Sequence, residues 1–337
     1  MKREALFWKP IKESKVQCML CPHHCVIAPE KHGICGVRKN ENGKLFTLIY
    51  ALCSSVADDP IEKKPLYHFY PGSLVLSFGS VGCTFRCEHC QNYAISMANP
   101  EEFPFQEVPP ETVVGLARDH GCRGVAWTYN EPSIWHEYTL DTAKLVKAAG
   151  LYTVYVTNGY IEEDPLKEIA PYLDAMNIDV KAFNEEFYRK VCKAKLAPVL
   201  QTCERATKLG IHVELTYLII PGLNDAAEEI TRFCRWVSET LGPATPVHFS
   251  RFHPDYKMRG TPATPIHTLL DALAKAKDAG LQYVYLGNIP HGEYDNTMCP
   301  SCGSLLVERF GFSAHLKGIK NGKCIRCGTI IPIHIDK

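Results

Sequence analysis

The chain lacks any charge imbalance: 37 lysines and arginines meet 37 aspartates and glutamates across 337 residues, a formal net charge of zero. No whole-chain field draws it to nucleic acid or to an anionic membrane. It also lacks an apolar run of about 18 residues, so no membrane-spanning helix is expected. The N-terminal MKREALFWKPIKESK carries charge with no apolar stretch and cleavage site behind it. A secretory leader is therefore not expected, and a cytoplasmic location is. Apolar substance is not lacking: 46% of residues are hydrophobic, enough for one large core with small appendages and too much for a disordered chain.

Cysteine is abundant, with 16 in the chain. In a reducing compartment these are better read as thiolate ligands than as a disulfide framework. Eleven fall in three tight groups: Cys18, Cys21, Cys25 and Cys35; Cys83, Cys87 and Cys90; and Cys299, Cys302, Cys324 and Cys327. The other five, Cys53, Cys122, Cys192, Cys203 and Cys234, stand singly in apolar or helical surroundings and read as buried small hydrophobes. The groups divide the chain into a cysteine-rich head (1–70), a central domain (71–290) and a tail (291–337).

Between the outer groups, short apolar runs alternate with helix-length segments. The runs are Ser73 to Phe78, Gly124 to Trp127, Tyr152 to Val156, Met176 to Val180, His212 to Ile219, Val247 to Phe249 and Tyr283 to Leu286. Pro110 and Pro265 mark helix starts, and Gly121, Gly150, Gly210 and Gly280 mark helix ends. Continuous rather than alternating strands indicate a parallel sheet covered by helices, an α/β fold. Periodicity does not separate a barrel from an open sheet. In both, functional groups gather beyond the C-terminal strand ends.

Directly after the first run comes Gly79-Ser80-Val81-Gly82-Cys83-Thr84-Phe85-Arg86-Cys87-Glu88-His89-Cys90-Gln91-Asn92, a CxxxCxxC loop. Three thiolates can reach one metal centre and leave one coordination position over. His89 filling that position gives zinc. Leaving it free gives a [4Fe-4S] cluster whose fourth iron can bind a substrate or cofactor.

This loop resembles the signature of the radical S-adenosylmethionine superfamily. The resemblance implies that Cys83, Cys87 and Cys90 hold a [4Fe-4S] cluster and act as the catalytic centre. Its unique iron would chelate the amino and carboxylate groups of S-adenosylmethionine, whose reductive cleavage gives methionine and a 5′-deoxyadenosyl radical. His89 occupies the position that lies near adenine in that superfamily.

Other strand ends carry further candidates for binding the cofactor. Thr128-Tyr129-Asn130-Glu131-Pro132 supplies Asn130 and Glu131; it stands where the superfamily has a Gly-Gly-Glu-like segment, with the two glycines replaced. Glu131 is read first as the acceptor of the methionyl ammonium, with a charge at the N-terminus of the helix that follows as the competing role. Asn158 follows the third run. Asp179 and Lys181 alternate onto one face after the fourth, either toward the nucleoside or as an ion pair that orders the mouth. Leu218 belongs to an apolar stretch suited to an adenine wall, and in the Pro221-Gly222 turn after it Asn224 or Asp225 is expected to cap the next helix. His248, Arg251 and His253, at or after the sixth run, are candidates for the substrate side.

The tail reads Cys299-Pro300-Ser301-Cys302-Gly303 and Cys324-Ile325-Arg326-Cys327-Gly328, paired CxxC knuckles 21 residues apart. This pattern places four thiolates around one tetrahedral ion, zinc before rubredoxin-like iron. Lys317, Lys320, Lys323 and Arg326 make only a modest basic patch, so nucleic acid is not the expected partner. The head, CxxCxxxCx9C, is a closed metal site in which zinc and a second iron–sulfur cluster both fit, with His23 or His24 as substitutes for a thiolate.

Taken in order, the CMLCPHHC head, the CTFRCEHCQN loop, TYNEP, IPGLND, YLGN and the CPSCG/CIRCG tail resemble the AmmeMemoRadiSam system radical SAM enzyme family, which is pyruvate formate-lyase activating enzyme-like. The resemblance covers nearly the entire chain. It implies a partial (β/α)6 barrel with a cysteine-rich cap and a zinc-ribbon-like tail. It also implies an external one-electron donor such as flavodoxin or ferredoxin, and association with AMMECR-like and Memo-like proteins.

A radical enzyme acting on an unidentified substrate, with a protein among the possibilities, is the expected function. Activation of a glycyl-radical enzyme is the alternative within that chemistry. A zinc-dependent interaction or nucleic-acid-binding scaffold is the alternative without it.

Overall fold

The computed structural model describes residues 1–289 and 293–335. All seven apolar runs join one eight-stranded sheet. Its strands are β1 (Ser55–Pro60), β2 (Leu74–Gly79), β3 (Gly124–Trp127), β4 (Tyr152–Thr157), β5 (Ala175–Asp179), β6 (His212–Ile219), β7 (Val247–Arg251) and β8 (Val284–Gly287). From β2 to β8 neighbours pair in parallel and in sequence order, while β1 closes one edge antiparallel to β2. The helices α1 (Pro110–Asp119), α2 (His136–Ala148), α3 (Glu163–Ile169), α4 (Leu196–Lys208), α5 (Ala227–Trp236) and α6 (Ile266–Asp278) connect consecutive strands. Strands β2–β7 with these helices form the six expected βα units, and β8 adds a further parallel strand.

The sequence logic of the layer is simple. Parallel strands covered by helices are apolar on both faces, and β3 is buried at every position. Helix α4 buries Leu196, Val199, Cys203 and Ala206, a stripe at three- and four-residue spacing, so Cys203 is the core residue expected. Pro110 opens α1, and Gly150 follows α2 at φ +76°, a turn conformation that a side chain would oppose.

One boundary differs from expectation, and one lies outside the described residues. Ser55–Pro60, which the sequence assigns to the head, is an edge strand of the central sheet. The boundary expected at 290/291 lies outside the described residues. The head itself is two small antiparallel sheets around Ala5, Val16, Leu20, Ile27 and Leu45. It is clamped to α2 by the buried Arg38–Glu137 pair, 2.5 Å apart.

The base of the sheet is closed by the segment before β2. Glu214 on β6 accepts from the backbone N–H groups of Tyr67 (2.9 Å) and His68 (2.7 Å), and pairs with His212 (3.0 Å) and His248 (2.7 Å). Burial alone would raise this carboxyl; hydrogen bonds from His212 and His248 outweigh it and hold Glu214 well below the usual range. The stabilisation is therefore complete above the ordinary carboxylate range and is lost as pH falls toward the folded-state value. Glu214→Ala, which leaves these donors unpaired, is expected to cost about 3–5 kcal/mol, read as a shifted denaturation midpoint. An unchanged midpoint would show that the network contributes nothing.

The tail packs on this base. His334 and the 68–70 segment exchange backbone hydrogen bonds of 2.8 Å, and Arg309 reaches the Tyr67 carbonyl at 2.6 Å. Tyr67, Tyr283 and Tyr285 share one apolar cluster with Leu306, Val307 and Ile331 of the tail. Among the described residues no helix is long and apolar enough to cross a membrane.

Candidate functional site

Because β2–β7 run parallel, their C-terminal ends converge on one mouth, and the loop carrying Cys83, Cys87 and Cys90 crosses it. Side chains from the next strand end fasten this loop. Asn130 accepts from the Ser80 N–H at 3.0 Å and donates to the Gly82 carbonyl at 3.0 Å, and Asn92 donates to the Tyr129 carbonyl at 2.6 Å. Tyr129 sits at φ +73°, a strained backbone for a bulky residue. Its ring explains how the strain is held: the hydroxyl bonds Asp59, and the Lys64 ammonium lies 4.7 Å from the ring centre.

Each loop thiol meets a donor or partner. The Phe85 N–H points to Cys83 Sγ at 3.3 Å and Asn158 Nδ2 at 3.6 Å, while Cys90 lies 3.7 Å from the Ser96 hydroxyl. Cys192 lies beside Cys87 and raises its thiol. Burial, then the charge of Glu131, pushes the Cys83 thiol far up; the neighbouring Cys192 thiol, then burial, does so for Cys87. Such thiols ionise only beside a strong positive charge, which a bound metal supplies.

The three cysteine groups differ in spacing. A tetrahedral zinc with thiolate bonds near 2.3 Å needs sulfurs about 3.8 Å apart. In the tail Cys299 and Cys327 are 3.5 Å apart and Cys302 and Cys324 3.7 Å. The Ser304 hydroxyl, 3.3 Å from Cys324 and 3.0 Å from Cys302, pulls both thiols down, Cys324 to about 6. Among the described residues this group alone brings three or more metal-ligating atoms within 4.8 Å of one another. The loop thiols stand wider, and His89 does not join them. His89, the fourth ligand that a zinc site at the mouth would need, does not stand within 4.8 Å of the three thiols together. His89 is instead buried beside Phe187, 6.0 Å between ring centres, with Nδ1 unpaired among the described residues and the imidazole held neutral by burial and Lys181.

The remaining sequence candidates separate into groups. Asp179 and Lys181 form a 2.7 Å ion pair on the mouth, and Lys181 is close enough to Cys87 to feel its charge. Asn158 touches both Cys83 and Thr84. Leu218 is half-buried at the end of β6, with its carbonyl bonded by Asn224. His253 reaches Gln91 of the cysteine loop at 2.9 Å, and Tyr256 stacks on Tyr93 at 4.5 Å, so the segment after β7 leans over the loop. Arg251 donates Nε–H to the Thr264 carbonyl at 2.8 Å.

Three expectations need correction. Glu131 is not a carboxylate awaiting an ammonium: it is buried and accepts from Ser133 N (2.9 Å), Thr157 Oγ1 (2.7 Å) and Asn158 N (2.8 Å), joining two strand ends and capping the next short helix. His248 is not on the substrate side, because Glu214 binds it and the Tyr67 and Tyr285 rings pack on it. Neither Asn224 nor Asp225 caps α5: Asn224 accepts from Ile220 N and Asp225 from Gly222 N, so both shape the turn itself. Sequence reading missed Cys192, whose place against Cys87 comes from tertiary packing and leaves no spacing signal.

The fold and this mouth define an α/β partial barrel with three wide-set thiols after its first parallel strand. The chain belongs to the radical SAM superfamily, whose sequence profile matches residues 78–234. It is 47% identical over 333 residues to an uncharacterised protein of Methanocaldococcus jannaschii, covering 98% of this chain and 99% of that one. It is 23% identical over 190 residues to the pyruvate formate-lyase-activating enzyme of Clostridium pasteurianum, covering 53% of this chain and 79% of that one. Among solved structures, Streptococcus suis SuiB bound to S-adenosylmethionine shares the fold with a TM-score of 0.50 at 12% identity, over 68% of this chain and 54% of SuiB. The chain thus spans about half of SuiB.

The protein is an enzyme, and its superfamily implies S-adenosylmethionine and a [4Fe-4S] cluster. The residues present fit that pair. Three cysteines of one loop, Cys87 buried and Cys83 and Cys90 half-buried, have no fourth ligand drawn up to them, the Phe85 N–H faces Cys83 Sγ and the Ser96 hydroxyl lies against Cys90.

Proposed function

We propose that this enzyme cleaves S-adenosylmethionine reductively at a [4Fe-4S] cluster held by Cys83, Cys87 and Cys90, and abstracts hydrogen from a substrate bound at the same mouth. Three cysteines on one loop at the barrel mouth, with no fourth protein ligand drawn up to them, carry the reading. When bound, the reduced cluster supplies the electron that splits the sulfonium into methionine and a 5′-deoxyadenosyl radical.

The chain's own residues have distinct parts. Asn158 and the Phe85 amide donate to Cys83 and so tune a ligand's electron density. The Asp179–Lys181 pair offers both charges to a cofactor that carries an ammonium, a carboxylate and ribose hydroxyls. His89 and Leu218 border the adenine. His253, on the segment that overhangs the loop, is the substrate-side group. Burial of the mouth excludes water, which a carbon radical would otherwise meet.

In the tail, Cys299, Cys302, Cys324 and Cys327 bind zinc, and the head cysteines form a second closed metal site. An external one-electron donor such as flavodoxin or ferredoxin reduces the enzyme, and AMMECR-like and Memo-like proteins are its associates in the cytoplasm. Similarity to pyruvate formate-lyase-activating enzyme favours one second reading, a protein substrate whose glycine is converted to a radical.

The test is anaerobic reconstitution with iron and sulfide, reduction, and incubation with S-adenosylmethionine. 5′-Deoxyadenosine is the expected product, and deuterium from a labelled partner protein or metabolite should appear in it. No product above a cluster-free control would reject the reading. Asn158→Ala should keep the cluster, shift its reduction potential downward in an EPR titration and slow product formation about 10-fold. An unchanged potential would remove Asn158 from the cluster's surroundings.

A further inference from the structure

The head contains a second four-cysteine group whose geometry departs from that of the tail. Cys18, Cys21, Cys25 and Cys35 all line one small, largely apolar cavity at the junction of head and barrel. No three of their sulfurs come within 4.8 Å of one another, whereas the tail sulfurs do. The same chain therefore holds one four-thiol group drawn to single-ion spacing and another whose sulfurs stand wider around a shared small cavity. A lone zinc with bonds near 2.3 Å cannot touch sulfurs that stand so far apart. A polynuclear centre, with bridging sulfides between its irons, reaches thiolates set wider than a single ion draws them.

The surroundings agree with thiolates that carry excess negative charge. Arg38, 1% exposed, also lines the cavity and places Nη1 3.7 Å from Cys18 Sγ. The Ile34 N–H points to Cys25 Sγ at 3.5 Å. Of the two histidines nearby, His23 also lines the cavity and gives Nε2 to the Thr84 carbonyl at 2.8 Å, and His24 lies 2.8 Å from Glu162. The four thiols remain as the donor set.

The cavity also adjoins the mouth. A Cβ on Gly82 would lie 2.6 Å from the Cys35 carbonyl and 3.2 Å from Ile134, which itself lines the cavity. The backbone of a head ligand thus packs directly against the residue preceding Cys83.

We infer that Cys18, Cys21, Cys25 and Cys35 bind a second iron–sulfur cluster, not zinc, one residue removed in packing from the loop that holds the first. This inference rests on the proposed cluster at Cys83, Cys87 and Cys90 only for the word "second"; its own geometry is independent.

Full-length protein reconstituted anaerobically would be compared with two variants by iron, sulfide and zinc content and by EPR after dithionite reduction. The loop variant Cys83→Ala/Cys87→Ala/Cys90→Ala should retain roughly two to four irons per chain, with matching sulfide and an EPR signal. The head variant Cys18→Ala/Cys25→Ala should lose that signal and keep the other. A loop variant with no iron, whether it gains a second zinc or leaves the head empty, would overturn the inference. If wild type held one cluster that survived in the loop variant and vanished in the head variant, the mouth assignment would fail and the head assignment would stand. Should the head variant misfold, the loop variant, with an intact head, still decides.

Discussion

Cys87→Ala is expected to abolish 5′-deoxyadenosine formation, a fall of more than about 100-fold, because a lost ligand should cost more than the 10–100-fold typical of outer-shell partners. Cys87 is 7% exposed and packed against Cys192, so water has poor access to replace the missing sulfur. The small side chain leaves the fold intact: its neighbours Arg86 and Glu88 are held through backbone bonds to Cys192 and Val191, which do not involve the thiol. Product assayed by chromatography beside a melting curve separates the two effects. Full activity in a folded Cys87→Ala protein would remove this residue from the centre. Cys192→Ala is the informative neighbour, since it takes away the adjoining thiol but leaves all three proposed ligands.

The second large effect concerns stability. Cys324→Ser should release the tail's zinc and unfold the ribbon, because metal-binding free energy, of order 10 kcal/mol in small zinc modules, is folding free energy there. The ribbon has little else: Cys299, Leu306, Val307, Ile319, Cys324, Ile331 and Ile333 form its buried set, and they pack largely on Tyr67, Tyr283 and Tyr285. Unfolding it would bare those rings and free Arg309 from Tyr67. A new low-temperature transition in calorimetry, early proteolysis after residue 299 and loss of one zinc per chain are the expected signs, with iron content unchanged. A variant that melts and resists protease like wild type would show that the ribbon is held by packing alone.

Much of the fold was legible because it rests on local patterns. Buried parallel strands read as continuous apolar runs, and Gly121, Gly150, Gly210 and Gly280 end their helices because each adopts positive φ. The cysteine groups were legible because their spacing is itself chemical. What escaped depends on contacts between distant segments. Ser55–Pro60 carries two aspartates and a proline, a poor strand pattern, and becomes one only because β2 offers an edge. Glu131 and His248 are polar residues near strand ends, which suits a ligand site and a structural network equally. Their partners, Thr157 and Asn158 for one and Glu214 for the other, decide between the two. The metal preference of the head was equally hidden, since spacing in sequence does not fix the distance between sulfurs.

The central claim is that Cys83, Cys87 and Cys90 leave one iron of a cubane open to S-adenosylmethionine. Its most direct test is Mössbauer spectroscopy of the ⁵⁷Fe-reconstituted Cys18→Ala/Cys25→Ala protein before and after the cofactor is added. One iron of about four should change its isomer shift and quadrupole splitting on addition, the others staying as they were. A spectrum indifferent to the cofactor, or a mouth that binds zinc and no iron, would contradict the claim.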